Sequence, residues 1–271
     1  SLYAKTQLTS EKALLDSLVQ EIERLESVAF EIFTFNSNYA SILSTTTGTV
    51  VINDRFIVED ALYEYDPLSS DAKAQLTTEK VLLDSLLQEI IRQEDIISEI
   101  SLFKTTHAIA LGLDLTSVQI SDRSSIEVAL ASYNLLSSDA KLLLTAEKAL
   151  LDSLLIEIII QEAIAFEVTT FKQNHISTLT LTDSSVSISN LSSVDSALLA
   201  YESLSDDAKA LLIAEKGLLD GLLVEINRQI DVESEVTTFK SDYASTLILT
   251  VNTVQISHKA MIELALSAYD A

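Results

Sequence analysis

Residues 137–155 read SSDAKLLLTAEKALLDSLL, and this stretch recurs as SSDAKAQLTTEKVLLDSLL at 69–87 and as SDDAKALLIAEKGLLDGLL at 205–223. A second marker is tyrosine, which stands at positions 65, 133, 201 and 269, so that successive copies lie 68 residues apart. Self-similarity at a fixed period indicates a repeat architecture. The sequence therefore predicts four tandem repeats, at residues 1–68, 69–136, 137–204 and 205–271, and a chain cut from a longer array.

Each repeat is predicted to contain two short helices and one long helix. The first short helix carries an apolar stripe with i, i+3, i+4, i+7 spacing, seen as Ile126, Ala129, Leu130 and Tyr133. Its expected N-cap is Ser121, whose counterparts in the other repeats are Asn53, Ser189 and Ser257. The second short helix is expected to begin after a capping serine, at Ser69, Ser137 and Ser205.

The third helix is predicted to run from about Thr145 to His175 and to measure about 45 Å. It is followed by a stretch rich in β-branched residues, such as 246–256, which predicts an extended connector or a small hairpin. The expected fold is thus mainly α, with the repeats arranged as a rod or a stacked array.

Composition excludes several classes of protein. The 271 residues include 41 Asp and Glu against 17 Lys and Arg, a net charge of −24, and contain no Cys. Without Cys there is no disulfide framework or zinc finger. The negative charge argues against a nucleic-acid binder, which needs a basic surface. No uninterrupted apolar run is long enough for a membrane span, so no membrane insertion is expected.

The long helix is apolar over most of its circumference in the two central repeats. Only a narrow polar stripe is expected to face water in the third repeat, formed by Asp152, Glu157, Gln161 and Glu162. A helix of this kind must be covered on several sides. We therefore expect its isoleucines to pack against neighbouring repeats or identical chains: Ile90, Ile91, Ile96, Ile97, Ile100, Ile156, Ile159, Ile160 and Ile164.

Residues that recur in every repeat are the candidates for a ligand site. The charged ones are expected to form ion pairs and to serve the repeated fold: Lys5, Glu11, Lys12, Asp16 and Glu21, with their counterparts at intervals of 68. The aromatic ones are Phe35, Phe103, Phe171 and Phe239, each four residues before Tyr39, His107, His175 or Tyr243. A stacking platform for a ligand is one interpretation, and core packing is the favoured one.

No motif of a catalytic, metal or cofactor site is present. His107 and His175 lack a second histidine or a carboxylate three or four residues later, and His258 is expected to be solvated. We therefore expect no enzyme activity, no metal and no cofactor.

Three stretches resemble a known family. Residues 254–259 and 264–271 read VQISHK and LALSAYDA, and residues 204–212 read LSDDAKALL. Together they resemble the tandem helical modules of large surface proteins of Gram-positive bacteria. The resemblance implies an exported, extracellular, non-enzymatic stalk, spacer or self-assembling surface component. The alternative is an adhesin-type module that recognises a host or matrix protein through its helix faces, and it predicts one repeat with an exposed apolar patch that the others lack.

Overall fold

The computed structural model describes residues 2–270, and these residues are mainly helical, as the sequence predicts. In chain order the α-helices are α1 (Leu2–Gln7), α2 (Thr9–Asn38), α3 (Ala40–Leu43), α4 (Arg55–Tyr65), α5 (Ser70–Gln75), α6 (Thr77–Thr106), α7 (Ala108–Leu111), α8 (Arg123–Leu135), α9 (Ser138–Leu143), α10 (Thr145–Asn174), α11 (Ile176–Leu179), α12 (Leu191–Glu202), α13 (Asp206–Leu211), α14 (Ile213–Asp242), α15 (Ala244–Leu247) and α16 (Lys259–Tyr269). The 30-residue helices α2, α6, α10 and α14 begin at residues 9, 77, 145 and 213.

The predicted hairpin in the connector is wrong, since residues 2–270 contain no strand. Each connector instead holds one turn of α-helix, a hydrogen-bonded turn and a short 3-10 helix. In the turn at 246–256 the backbone N–H groups of Thr253 and Val254 both donate to the carbonyl of Thr250, at 3.0 Å. These local hydrogen bonds satisfy the backbone within the segment, so its β-branched residues need no partner strand.

The predicted cap of the first short helix is also wrong. Residues 53, 121, 189 and 257 lie inside the 3-10 helices, and the next side chain receives the hydrogen bond. Asp54 accepts from the backbone N–H of Val51 at 3.0 Å, and Asn190 accepts from that of Ser187 at 2.9 Å. His258, expected to be solvated, accepts in the same way through Nδ1. The predicted cap residues therefore lie in the middle of a 3-10 helix that precedes the α-helix.

The predicted caps of the second short helix are confirmed. The hydroxyl groups of Ser69, Ser137 and Ser205 accept from the backbone N–H groups three residues later, at 3.2–3.3 Å. Such a cap satisfies one of the free N–H groups at the start of a helix and stabilises it by about 1 kcal/mol.

The chain divides into two compact units, and each is described by itself. The first contains the residues up to Ser117 together with Asp122–Leu154, and the second contains Val118–Ser121 together with the residues from Leu155 onward. The proposed repeat boundaries at 68/69, 136/137 and 204/205 stay a prediction.

In the first unit, the N-terminal half of α6 packs against α4. Leu83, Leu86 and Ile90 of α6 are fully buried in one cluster with residues of α2, α3 and α4. The other buried members of that cluster are Phe35, Tyr39, Ile42, Val50, Val58, Ala61, Tyr65 and Leu76. The core thus draws on the end of one long helix and the beginning of the next.

The C-terminal half of α6 belongs to a second group of buried residues. Its Phe103 is buried, and its ring lies 5.1 Å from the ring of His107 and 6.2 Å from that of Tyr133. No break separates the two halves, because α6 is helical from Thr77 to Thr106. One continuous helix therefore contributes to two cores.

The second unit shows the same arrangement around α14. Leu219, Leu222 and Ile226 from its N-terminal half are fully buried with Val194, Ala197 and Tyr201 of α12. Phe171, from the C-terminal half of α10, completes this cluster. Its ring lies 6.2 Å from that of Tyr201.

Candidate functional site

The recurring Lys and Asp of the long helices form ion pairs along one helix. Nζ of Lys80, Lys148 and Lys216 lies 2.6–2.7 Å from a carboxylate oxygen of the Asp four residues later. Lys12 and Asp16 pair in the same way at 2.6 Å. The expected ion-pair interpretation of these two positions is confirmed. Such pairs on a helix surface are each worth about 0.3–0.5 kcal/mol.

A second ion pair joins the end of one long helix to the first turn of the next. Nζ of Lys104 lies 2.6 Å from Oε1 of Glu147, and Nζ of Lys172 lies 2.7 Å from Oε1 of Glu215. The hydrogen bond from each lysine lowers the pKa of its glutamate. The counterpart of these lysines in the first repeat is Asn36.

Asn36 leaves a carboxylate without its usual partner. Glu79 is the counterpart of Glu147 and Glu215, and its Oε2 atom is buried and has no hydrogen-bond partner among the described residues. A buried acceptor of this kind reduces stability, because it loses water without gaining a partner.

The prediction that Glu157 and Gln161 face water is wrong, because Gln161 contacts a turn and Glu157 contacts Gln161. Nε2 of Gln161 donates to the carbonyl oxygen of Val118 at 3.1 Å and to Glu157 at 3.2 Å, so both side chains are partly buried. In the first unit Gln93 bonds to Val50 and Glu89 in the same way, both at 3.0 Å. The glutamine thus anchors the turn that precedes the short helix.

An arginine completes this arrangement in the first unit. Arg92 donates to Glu89 at 2.7–2.8 Å, and the two hydrogen-bond donors Arg92 and Gln93 lower the pKa of Glu89 to about 2. Nη1 of Arg92 also forms an ion pair with Oδ2 of Asp139 in α9, at 2.5 Å. In the second unit Arg228 and Gln229 lower the pKa of Glu225 to about 2.

The carboxylates of Glu31, Glu99 and Glu167 bind the capping serines. Glu31 accepts from the backbone N–H of Ser69 at 3.0 Å and from its hydroxyl at 2.7 Å. Glu99 and Ser137 are joined in the same way. The expectations from the sequence included neither these glutamate–serine links nor the glutamine links. The signal for both was present, because Glu and Gln recur at fixed intervals where no apolar stripe requires them.

The phenylalanines of the first three repeats are packed in the core, as the favoured interpretation expects, whereas Phe239 is half-buried. Phe35, Phe103 and Phe171 are buried, and each ring contacts a tyrosine 30 residues later. Tyr39 donates a hydrogen bond to Asp60 at 2.8 Å, and burial together with this carboxylate raises the pKa of Tyr39 to about 12.

Two related grooves lie beside the ion pairs between long helices. The groove in the second unit has a volume of about 530 Å³ and is lined by Lys172, Ile176, Leu179, Glu215 and Leu218, among others. Its counterpart in the first unit measures about 420 Å³ and is lined by Lys104, Ala108, Leu111, Glu147 and Leu150, among others. Both are mostly apolar, with one ion pair at the wall.

The isoleucines of the central long helices divide into buried, half-buried and exposed groups. The half-buried ones are Ile96, Ile100 and Ile164. Ile90 and Ile158 are fully buried in the chain. Ile91, Ile97, Ile156, Ile159 and Ile160 are exposed, so the expectation that other repeats of the same chain cover them is wrong. The reason is that each core needs only one face of the long helix, the face of Leu83, Leu86 and Ile90. Cover by a second chain stays a prediction.

Within residues 2–270, no group of three or more His, Asp or Glu side chains is arranged to hold a metal ion. Among the same residues, no helix is both long enough and apolar enough to cross a membrane.

Comparison with protein-family models, with curated proteins and with solved structures finds no match to this chain.

Proposed function

We propose that the chain is a structural array of four equivalent 68-residue helical modules that acts as a stalk, spacer or self-assembling component at a cell surface. The observation that carries this proposal is the double role of α6, which contributes Leu83, Leu86 and Ile90 to one core and Phe103 to the next. A helix shared in this way leaves no flexible linker between successive cores. A spacer needs that property to hold its ends apart.

The recurring polar residues support the same role. Gln93 binds a turn carbonyl, Glu31 binds a capping serine, and Arg92 joins a long helix to α9. Each of these residues stabilises the fold of the module. Their recurrence is therefore explained without a ligand, and the proposal includes no catalytic step.

The location at a cell surface is also part of the proposal. It rests on the resemblance to modules of Gram-positive surface proteins. Antibodies raised against the chain should label intact cells of its source. Labelling only after the cells are permeabilised would contradict this part.

A binding role is the alternative, and one observation favours it. Ile156, Ile159 and Ile160 form an exposed apolar patch on α10. The corresponding residues are Gln88, Ile91 and Arg92 in α6, and Val224, Asn227 and Arg228 in α14. The third repeat therefore has three exposed isoleucines where the second and fourth repeats each have two polar residues, and an exposed apolar patch of this kind is typical of a protein-interaction site.

A pull-down from serum and matrix proteins separates the two roles. The bait is the full chain, and the matched control carries the residues of the second repeat, Ile156→Gln and Ile160→Arg. The structural role predicts that both baits retain no protein. Retention by the native chain that is lost with the double variant would support the binding role instead.

A further inference from the structure

In the first unit, an arginine joins each of two long helices to the short helix that follows it. In α6, Arg92 donates to Glu89 at 2.7–2.8 Å and forms an ion pair with Asp139 of α9 at 2.5 Å. Arg24 of α2 pairs with Asp71 of α5 in the same way. One guanidinium thus binds two carboxylates, one on its own helix and one on a neighbouring helix.

The third repeat has an isoleucine in place of this arginine. Ile160 is the counterpart of Arg92, and Glu157 and Asp207 are the counterparts of the two carboxylates that Arg92 binds. Glu157 accepts a hydrogen bond from Gln161 at 3.2 Å. Within residues 2–270, no Lys or Arg side chain pairs with Asp207. The chain therefore keeps both carboxylates at this place and supplies no arginine to bind them.

The two carboxylates are carried by helices that are joined as in the first unit. Glu167 of α10 accepts from the backbone N–H of Ser205 at 2.9 Å and from its hydroxyl at 2.8 Å. Glu99 and Ser137 are joined in the same way beside Arg92. Because Ser205 caps α13, the first turn of α13 is held against α10, and Glu157 and Asp207 lie on the two joined helices.

Negative charge is also increased at the start of α13. Asp206 stands where α5 and α9 have Ser70 and Ser138. Relative to the second repeat, one positive charge is lost with the arginine and one negative charge is gained with Asp206. This part of the surface therefore attracts a cation, and the net charge of −24 adds to that attraction.

Exposed apolar side chains lie beside these carboxylates. Ile156, Ile159 and Ile160 of α10 are 59%, 49% and 46% exposed. Leu211 of α13 is exposed as well, and its counterpart Leu143 lines a groove of about 390 Å³ beside the arginine of the second repeat. The surface thus offers apolar contacts and carboxylates side by side, which suits an amphipathic segment that carries a basic residue.

We propose that the third repeat binds an amphipathic protein segment that carries an arginine, with the guanidinium between Glu157 and Asp207 and the apolar side chains of the segment on the three exposed isoleucines of α10. The guanidinium takes the role that Arg92 has in the second repeat. Arginine suits this place better than lysine, because its planar fork binds two carboxylates at once. The proposal goes beyond the spacer role and gives the alternative, binding role a partner of defined chemistry.

A synthetic helical peptide is the probe. It carries one arginine, with leucines one turn away on both sides, and a matched peptide carries citrulline instead, which keeps the shape of arginine without its charge. In the full chain, Ile160→Arg introduces the arginine of the other repeats, and Leu199→Arg is its control on α12. Asp207→Asn removes one carboxylate, and Asp195→Asn is its control on α12. All four positions are exposed, so the variants should keep the helical circular dichroism of the chain.

Fluorescence anisotropy of the labelled peptides is the measurement. The native chain and the two α12 controls should bind the arginine peptide with similar affinity. Asp207→Asn should weaken binding about threefold, because an exposed ion pair contributes up to about a factor of five. Ile160→Arg should weaken binding at least as much, because it pairs with both carboxylates and shortens the apolar patch. The native chain should bind the citrulline peptide about threefold more weakly, or weaker still.

Any of three results would overturn the proposal: a native chain that does not bind the arginine peptide, equal affinity for the two peptides, or an Ile160→Arg variant that binds as tightly as the native chain. An α12 control that weakens binding as much as its matched variant would overturn it too, because the attraction would then depend on net charge alone.

Should Ile160→Arg or Asp207→Asn lose its helical signal, Asp206→Ser replaces it. This change introduces the residue type of α5 and α9, and it should also weaken binding of the arginine peptide. Unchanged affinity would overturn the proposal. A chain that binds no peptide leaves the spacer role standing, because that role depends on the unbroken long helices and on no ligand.

Discussion

Glu167 accepts two hydrogen bonds from Ser205, a residue 38 positions later in the chain. The backbone N–H of Ser205 donates at 2.9 Å and its hydroxyl donates at 2.8 Å. The same hydroxyl oxygen accepts from the backbone N–H of Ala208 at 3.3 Å and so caps α13. The carboxylate therefore orients the capping hydroxyl and ties the start of a short helix to α10. These bonds lower the pKa of Glu167.

Removing this cap should destabilise the fold. Ser205→Ala is expected to lower the free energy of unfolding by about 0.5–2 kcal/mol, the usual range for a lost N-cap. The measurement is equilibrium unfolding in urea. Ser37→Ala, at an exposed helical position, is the control and should change stability by less than about 0.5 kcal/mol. Glu167→Ala combined with Ser205→Ala should cost less than the sum of the two single changes, and strict additivity would contradict the link.

Loss of the turn anchor should also be measurable. Gln93→Ala leaves the carbonyl of Val50 without its side-chain donor, and an unsatisfied buried acceptor costs about 1–3 kcal/mol. Gln88→Ala changes an exposed glutamine of the same helix and is the matched control. Equal unfolding midpoints for the two variants would show that the anchor contributes nothing.

Two apolar positions of α10 that lie two residues apart should respond differently to the same change. Leu154 is fully buried, so Leu154→Asp places an unpaired charge in the core and should cost several kcal/mol. Ile156 is exposed, and Ile156→Asp should stay within about 0.5 kcal/mol. Thermal unfolding followed by circular dichroism compares them. Similar losses of melting temperature would mean that α10 is rotated relative to its core.

Acid should weaken the fold through Glu89 and Glu225. Hydrogen bonds from arginine and glutamine lower the pKa of each of these two glutamates to about 2 in the folded chain, from an ordinary value of about 4.3. A carboxylate with a lowered pKa stabilises the folded state above its unfolded pKa, and this stabilisation is lost as the pH falls towards the folded value. Melting temperature should therefore decline between about pH 4.5 and pH 2. Glu89→Gln should show a shallower decline over that range, and a decline as steep as that of the native chain would contradict the assignment.

Periodicity predicts the long helix and the two short helices of each repeat, because these helices and the capping serines are specified by local sequence. Thr145–Asn174 agrees closely with the expected span, and Ser69, Ser137 and Ser205 cap as expected. Local sequence could not show that the two halves of a long helix serve different cores. That division depends on contacts between segments far apart in the chain.

The connector and the polar stripe are two further features that the sequence pattern did not predict correctly. The β-branched connector satisfies its backbone in local turns, and Gln161 turns towards the carbonyl of Val118 43 residues earlier rather than towards water. A helical wheel places a residue on a face, but it does not tell what packs there. The missing hydrogen-bond partner of Glu79 Oε2 could not be predicted either. It follows from Asn36, which stands where two other repeats have a lysine that pairs with the corresponding glutamate.

The central claim is that the long helices run unbroken between successive cores. Amide hydrogen exchange along α6, resolved by mass spectrometry, tests it most directly. The account predicts slow exchange in both core segments, around Leu86 and around Phe103, and also in residues 94–100 between them. Rapid exchange at 94–100, with protection kept on both sides, would contradict the account, because it would mean separate modules joined by a flexible linker.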